Sequence, residues 1–271
     1  MALRNEDYVA FLDESGERNL QVVAGVLIPA RWLRGAERRW RDFVRHHLGS
    51  QSGKTEIHAQ DLLNGQGNAA YYASRTSPAR TGEHRSARGA GRLLYRETLE
   101  HIARTREIRV LTVGLKTNQA RDAYRLWFWL MYAALIVRPR APRPRLALVV
   151  IDGQDDSFRE AHDLVAHRFY SNFWERQPYI TRGNQWFIGG SLHHKSEFLP
   201  FIQMADVVAN AGRHALAKRK PFRSWYDTHL CQRALAGGRD IDISAHALAQ
   251  LRRRSPTDRC GSGYANALIV P

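Results

Sequence analysis

The stretch Leu146–Asp152, LALVVID, limits more than any other what this chain can fold into. An unbroken apolar run of this length belongs in the middle of a sheet covered on both faces, because a strand with one wet face alternates apolar and polar residues. It ends on Asp152. A carboxylate in such a place is costly unless it is solvated, paired, bound to metal or protonated. The N-terminal stretch YVAFLDESGERNLQVVAGVLIP raises the same question twice over, since residues 7–13 and 20–28 read as strands and the first ends in Asp13 beside Glu14. The linking ESGERN carries the Gly and Asn of a turn, so an antiparallel hairpin is predicted.

Further along, the pattern predicts helices over 31–48, 92–105, 118–137, 156–170 and 199–218, with strands over 108–115 and 184–190. Strands interleaved with helices predict an α/β domain over residues 1–221 that opens with the hairpin. Residues 64–91, rich in Gly, Ser, Ala and Arg, read as a mobile basic loop, a lid or a nucleic-acid arm, and residues 222–271 as a C-terminal helical appendage.

Charge narrows the partners. There are 41 Lys and Arg against 26 Asp and Glu, a formal net charge of +15, and such an excess fits a polyanion such as DNA or RNA. Arg80, Arg85, Arg88 and Arg92 are the candidate phosphate contacts. Cys231 and Cys260 alone make neither a disulfide framework nor a cysteine zinc site, which suits a reducing cytoplasm. The N-terminus does not read as a signal peptide, and LWFWLMYAALIV is too short to span a bilayer, so no membrane role is expected. GSQSGKTE imitates a phosphate-binding loop, but Gly49 and Gly53 enclose three residues where that loop needs four.

The carboxylates sort by position. Side chains alternate along a strand, so Val9, Phe11 and Asp13 share one face while Ala10, Leu12 and Glu14 share the other. Only one of the acidic pair can face a given site. On a helix, FLPFIQMADVVANAGRHAL aligns Gln203, Asp206, Asn210 and Arg213 in a polar stripe that meets either solvent or a polar neighbour. In KTEIHAQDLLNG, Glu56 suits a further metal ligand and His58 a proton carrier or phosphate contact. HHKSE lacks a third ligand at metal spacing. Carboxylates from separate elements suit Mg²⁺ or Mn²⁺, which prefer oxygen ligands and in pairs promote phosphodiester hydrolysis.

FLDESG, EIHAQDL, VVIDGQDD and IQMADVVANA, in that order over about residues 7–216, resemble the motifs of the domain-of-unknown-function 3800 family, ribonuclease H-like proteins predicted to be nucleases. The resemblance implies a ribonuclease H-like mixed sheet flanked by helices, with an acidic residue on the first strand, one after the central strand and one on a late helix. Position by position these are Asp13, Asp152 and Asp206, with Glu56 as an additional ligand and Glu14, His58 and Gln203 in support. A metal-dependent nuclease is the expectation. The alternatives are a non-cutting nucleic-acid-binding subunit of a defence or mobile-element complex, and a hydrolase of small phosphates. A protein partner or a homo-oligomer is compatible with either.

Overall fold

The computed structural model describes residues 7–17, 19–49, 56–75, 86–115, 146–152, 191–194 and 199–230, with the helical positions Ala120, Ala123, Tyr124 and Trp127. Five strands, β1 (Tyr8–Glu17), β2 (Leu20–Pro29), β3 (Arg109–Leu115), β4 (Leu146–Asp152) and β5 (Ser191–His194), form one sheet in the order β3-β2-β1-β4-β5. β2 runs antiparallel to β1 and β3, whereas β1, β4 and β5 are mutually parallel. This is a mixed α/β architecture. LALVVID sits between two strands, as its unbroken apolarity requires.

The hairpin is longer than its composition suggests. Pairing of β1 with β2 continues to Glu17↔Leu20, so Asp13 does not end the strand. It ends only the pairing with β4, whose last partners are Leu12↔Ile151. The acidic pair is therefore fixed in regular strand geometry instead of hanging in a turn.

The α-helices whose bounds are described are α1 (Leu33–Leu48), α2 (Ala59–Asn64), α3 (Asn68–Arg75), α4 (Ala87–Arg104), α5 (Pro200–Leu216) and the short α6 (Phe222–Trp225), which runs into a wider turn over Tyr226–Leu230. On α1 the buried residues are Ala36, Trp40, Val44 and Leu48, four apart, which makes one apolar stripe on an otherwise basic helix. α5 is buried nearly all round and lies against β1, β2 and β3. Two glycines permit that approach: a Cβ on Gly212 would fall 2.7 Å from Thr112, and one on Gly114 would fall 2.0 Å from Leu216. Phe11 and Phe201 meet at 4.8 Å between ring centroids, a pairing worth about 1 kcal/mol beyond the area it buries.

The opposite face of the sheet is covered in part by Trp127, whose indole N–H donates to the Leu111 carbonyl at 2.9 Å. A Cβ on Gly25 would strike that ring at 2.3 Å.

Two sequence expectations need correction. Residues 64–91 are not one loop, since α3 and the first turn of α4 fall within them and place Arg88 and Arg92 on a helix. The cause is a helix start hidden in a polar stretch: the Ser86 hydroxyl accepts the Gly89 N–H at 3.1 Å, and the small Ala69, Ala90 and Gly91 let α3, α4 and α2 pack closely. Arg80 and Arg85 lie outside the described residues, as do 156–170 and 184–190. The appendage does not begin at 222 either. Phe222, Tyr226 and Leu230, spaced along one helical face, are buried in the same core as α4 and α5. Residues 231–271 lie outside the described part.

Candidate functional site

The register Leu12↔Ile151 makes Asp13 and Asp152 the next residues in line at the C-terminal ends of two adjacent parallel strands. By alternation both belong to the face that carries Phe11 and Val150, which packs against α5. Asp206 lies on that helix. Three acidic residues remote in sequence are thus brought to one end of the sheet, close enough to act on one another electrostatically.

Their electrostatics register the meeting. Burial, and after it the negative charges of Asp206, Glu14 and Asp152, holds the Asp13 carboxyl well above the usual carboxylate range. The Glu14 N–H, donating to Asp13 Oδ1 at 2.8 Å, pulls the other way without cancelling this. Asp206 is raised to about 6, chiefly by burial, with Glu56 and Asp152 adding to it. His58 and the Ala59 N–H oppose that rise.

The segment Glu56–Ala59 is stitched to α5 by its backbone. Gln203 Oε1 accepts the Ile57 N–H at 3.2 Å, and Asp206 Oδ2 accepts the Ala59 N–H at 2.7 Å. Asn68 Nδ2 donates to the Glu56 carbonyl at 2.6 Å. His58 is left half exposed, with Nε2 at 3.9 Å from Asp206 Oδ2 and Nδ1 at 3.7 Å from Asp61 Oδ1. The polar stripe of α5 therefore meets protein rather than solvent. Its next member, Asn210, is buried and bonded to the Tyr95 hydroxyl at 3.2 Å.

Glu14 stands apart from this group. Tyr124, fully buried, donates its hydroxyl to Glu14 Oε2 at 2.9 Å from the helix covering the other face. Nothing in the spacing of the sequence announces that bond, which joins residues 110 positions apart. Asn68 was equally hidden, because its role lies in a backbone carbonyl. Arg213, by contrast, was visible as the last residue of the polar stripe. Of the candidate phosphate contacts, Arg88 and Arg92 are exposed on α4.

What this arrangement can hold follows from its donors. The side chains of Asp13, Glu56, Asp152 and Asp206 offer carboxylate oxygens, and His58 offers an imidazole at the rim. Among the described residues, no three His, Cys, Asp or Glu side chains stand ready at metal-ligand spacing. The carboxylates do share one field, and the raised Asp13 and Asp206 carboxyls mark a place where positive charge would relieve repulsion. Hard divalent cations fit such an oxygen set. No protein-family model matches the chain, and no curated protein matches it. Among the described residues no helix is long and apolar enough to cross a membrane.

Proposed function

We propose that this protein is a divalent-metal-dependent nuclease of ribonuclease H-like fold that hydrolyses phosphodiester bonds of DNA or RNA. The observation that carries the reading is the convergence of Asp13 and Asp152, through the register of β1 and β4, beneath Asp206 of α5. The strand order, with a hairpin leading into parallel partners, agrees with the fold that the four motifs imply.

In this reading Asp13, Glu56, Asp152 and Asp206 would hold Mg²⁺ or Mn²⁺. The bound ions would supply an activated water and stabilise the leaving oxygen. The chain's own contribution is positional. Backbone N–H groups of Ile57 and Ala59 lock Gln203 and Asp206 in place, and this pins Glu56 and His58 beside them. His58, half exposed beside Asp206, is placed to exchange a proton with solvent on the substrate side. The net charge of +15 supplies long-range attraction for a polyanion.

The test is cleavage of single- and double-stranded DNA and RNA by purified protein in Mn²⁺ or Mg²⁺. Asp152→Asn should abolish cleavage while retaining binding. Cleavage that continues in excess chelator, or in the variant, overturns the metal assignment. Tight binding without cleavage in any metal would instead return the reading of a non-cutting nucleic-acid-binding subunit.

A further inference from the structure

Beyond the carboxylates, α5 carries a second polar feature. A cavity of about 560 Å³ opens where α2, α4, α5 and the segment after α5 meet, with Gln60, Asn64, Arg92, Arg213, His214 and Arg219 in its wall and Glu17 at its edge. Its donors outnumber its acceptors. Glu17 takes Arg219 at 2.7 Å and Arg213 at 3.7 Å, and is the sole carboxylate of the lining among the described residues. His214 lies between the same two guanidiniums, Nε2 at 3.4 Å from Arg213 Nη2 and Nδ1 at 3.2 Å from Arg219 Nη1.

Burial, then Arg213 and Arg219, push the His214 ring down to about 4, so it is neutral near pH 7. A neutral imidazole has one acceptor nitrogen, so only one of those two contacts can be a hydrogen bond. The other guanidinium faces an N–H. Arg213 Nε is also buried without a hydrogen-bond partner among the described residues. The rim adds Arg92, which is exposed. Planar guanidiniums with spare N–H groups are suited to the several oxygens of a phosphate.

We propose that this pocket binds a phosphate group, through Arg92, Arg213 and Arg219, with Gln60 and Asn64 as neutral partners. If the nuclease reading holds, on which this further step rests, the group is a backbone phosphate of the substrate strand. Arg213 follows Asp206 by seven residues on α5, a separation on the order of 10 Å at the rise of a helix. One strand spanning that distance over the surface could then touch the pocket with one phosphate while another reaches the carboxylates. The pocket would set which bond is presented.

The experiment separates this proposal from the catalytic one by using the full-length Asp152→Asn protein in chelator, where no chemistry occurs. Inorganic phosphate is titrated by calorimetry, and a labelled oligonucleotide by anisotropy. Saturable phosphate binding that Arg92→Ala weakens about tenfold, the size expected for losing hydrogen bonds to a charged group, supports the pocket. Glu17→Gln, which removes the competing carboxylate, should tighten it. Competition between phosphate and oligonucleotide identifies a strand phosphate as the ligand, whereas phosphate binding without competition identifies a free phosphate compound. Absence of saturable phosphate binding, or affinity unchanged in both Arg92→Ala and Arg219→Ala, overturns the proposal. Loss of cleavage in other experiments leaves these readings untouched.

Discussion

Asp13 and Glu14 are adjacent on one strand, yet the two faces of the sheet give them opposite work. On the α5 face, Asp13 sits half-buried among Asp152 and Asp206, and its carboxyl is pushed up. On the other face, Glu14 accepts a hydrogen bond from Tyr124 at 2.9 Å under a helical cover that also holds Trp127. Both accept a hydrogen bond, but Asp13 also faces the charges of Asp206 and Asp152. The difference teaches that acidic residues in a core are read by what meets them. Where burial and like charges crowd one face, a bound cation would relieve them.

The largest expected effect breaks the comparison directly. Asp13→Asn should lower metal-dependent cleavage at least about a hundredfold, more than the loss usually caused by an outer-shell partner. Glu14→Gln should stay within a few-fold, because its amide oxygen can still accept the Tyr124 hydroxyl. Steady-state cleavage rates of the two variants, with their folding checked by circular dichroism, decide the point. Equal losses would remove the distinction between the faces.

The second effect is electrostatic. Asp206 is raised from 3.8 to about 6, so its contribution to folding is full below the unfolded value and is lost as pH rises from about 3.8 to about 6. Above that window the ionised carboxyl carries a penalty of at most roughly 3 kcal/mol. Asn does not titrate. In chelator, the stability of Asp206→Asn relative to the native protein should therefore improve between about pH 4 and pH 8. Asp13, relieved of one negative neighbour, would shift the comparison in the same direction. Urea unfolding at the two pH values measures it, and a pH-independent difference would place Asp206 outside the cluster.

How far the site was legible depended on the kind of signal. The strand face of Asp13 followed from alternation, and the run LALVVID announced its own burial. The stripe Gln203, Asp206, Asn210 and Arg213 followed from helical spacing, but its partners did not. Two of them are backbone N–H groups, of Ile57 and Ala59, which every residue type but proline carries. The bond from Tyr124 to Glu14 is equally silent, since a core tyrosine and a hydrogen-bonding one look alike in sequence. Arginine and glycine misled the reading of residues 64–91: both read as loop by composition, whereas Gly91 is there so that α4 can lie within 1.9 Å, measured from its imagined Cβ, of the Leu62 carbonyl. At 222, the tail looked separate because short helical turns lack a long periodic pattern.

A third, smaller effect sharpens the role of the opposite face. Tyr124→Phe removes a hydrogen bond to a charged group and should destabilise the protein by about 1.5–3 kcal/mol. The metal-induced rise in melting temperature should be preserved, because the Tyr124 hydroxyl donates to Glu14, which is not among the proposed metal ligands. Thermal melts with chelator and with Mn²⁺ give both readings from one sample. A variant that keeps its stability but loses the metal response would move Glu14 into the site.

The smallest effect asks on which side a nucleic-acid strand runs. Arg88 is exposed on α4, one helical turn before Arg92, and α4 covers the same face of the core as α5. A phosphate contact at Arg88 contributes one released counterion, so Arg88→Ala should flatten the dependence of log affinity on log salt by about 0.7–0.9. At any one salt concentration the change in affinity will be modest, and the slope is the sharper measurement. Anisotropy titrations of the Asp152→Asn protein between about 50 and 200 mM salt supply it. Since Arg88 bears no hydrogen bond to the carboxylate cluster, its loss should leave the metal response intact. An unchanged slope would assign Arg88 to solvent and confine the strand to the carboxylates and the cavity at Arg213.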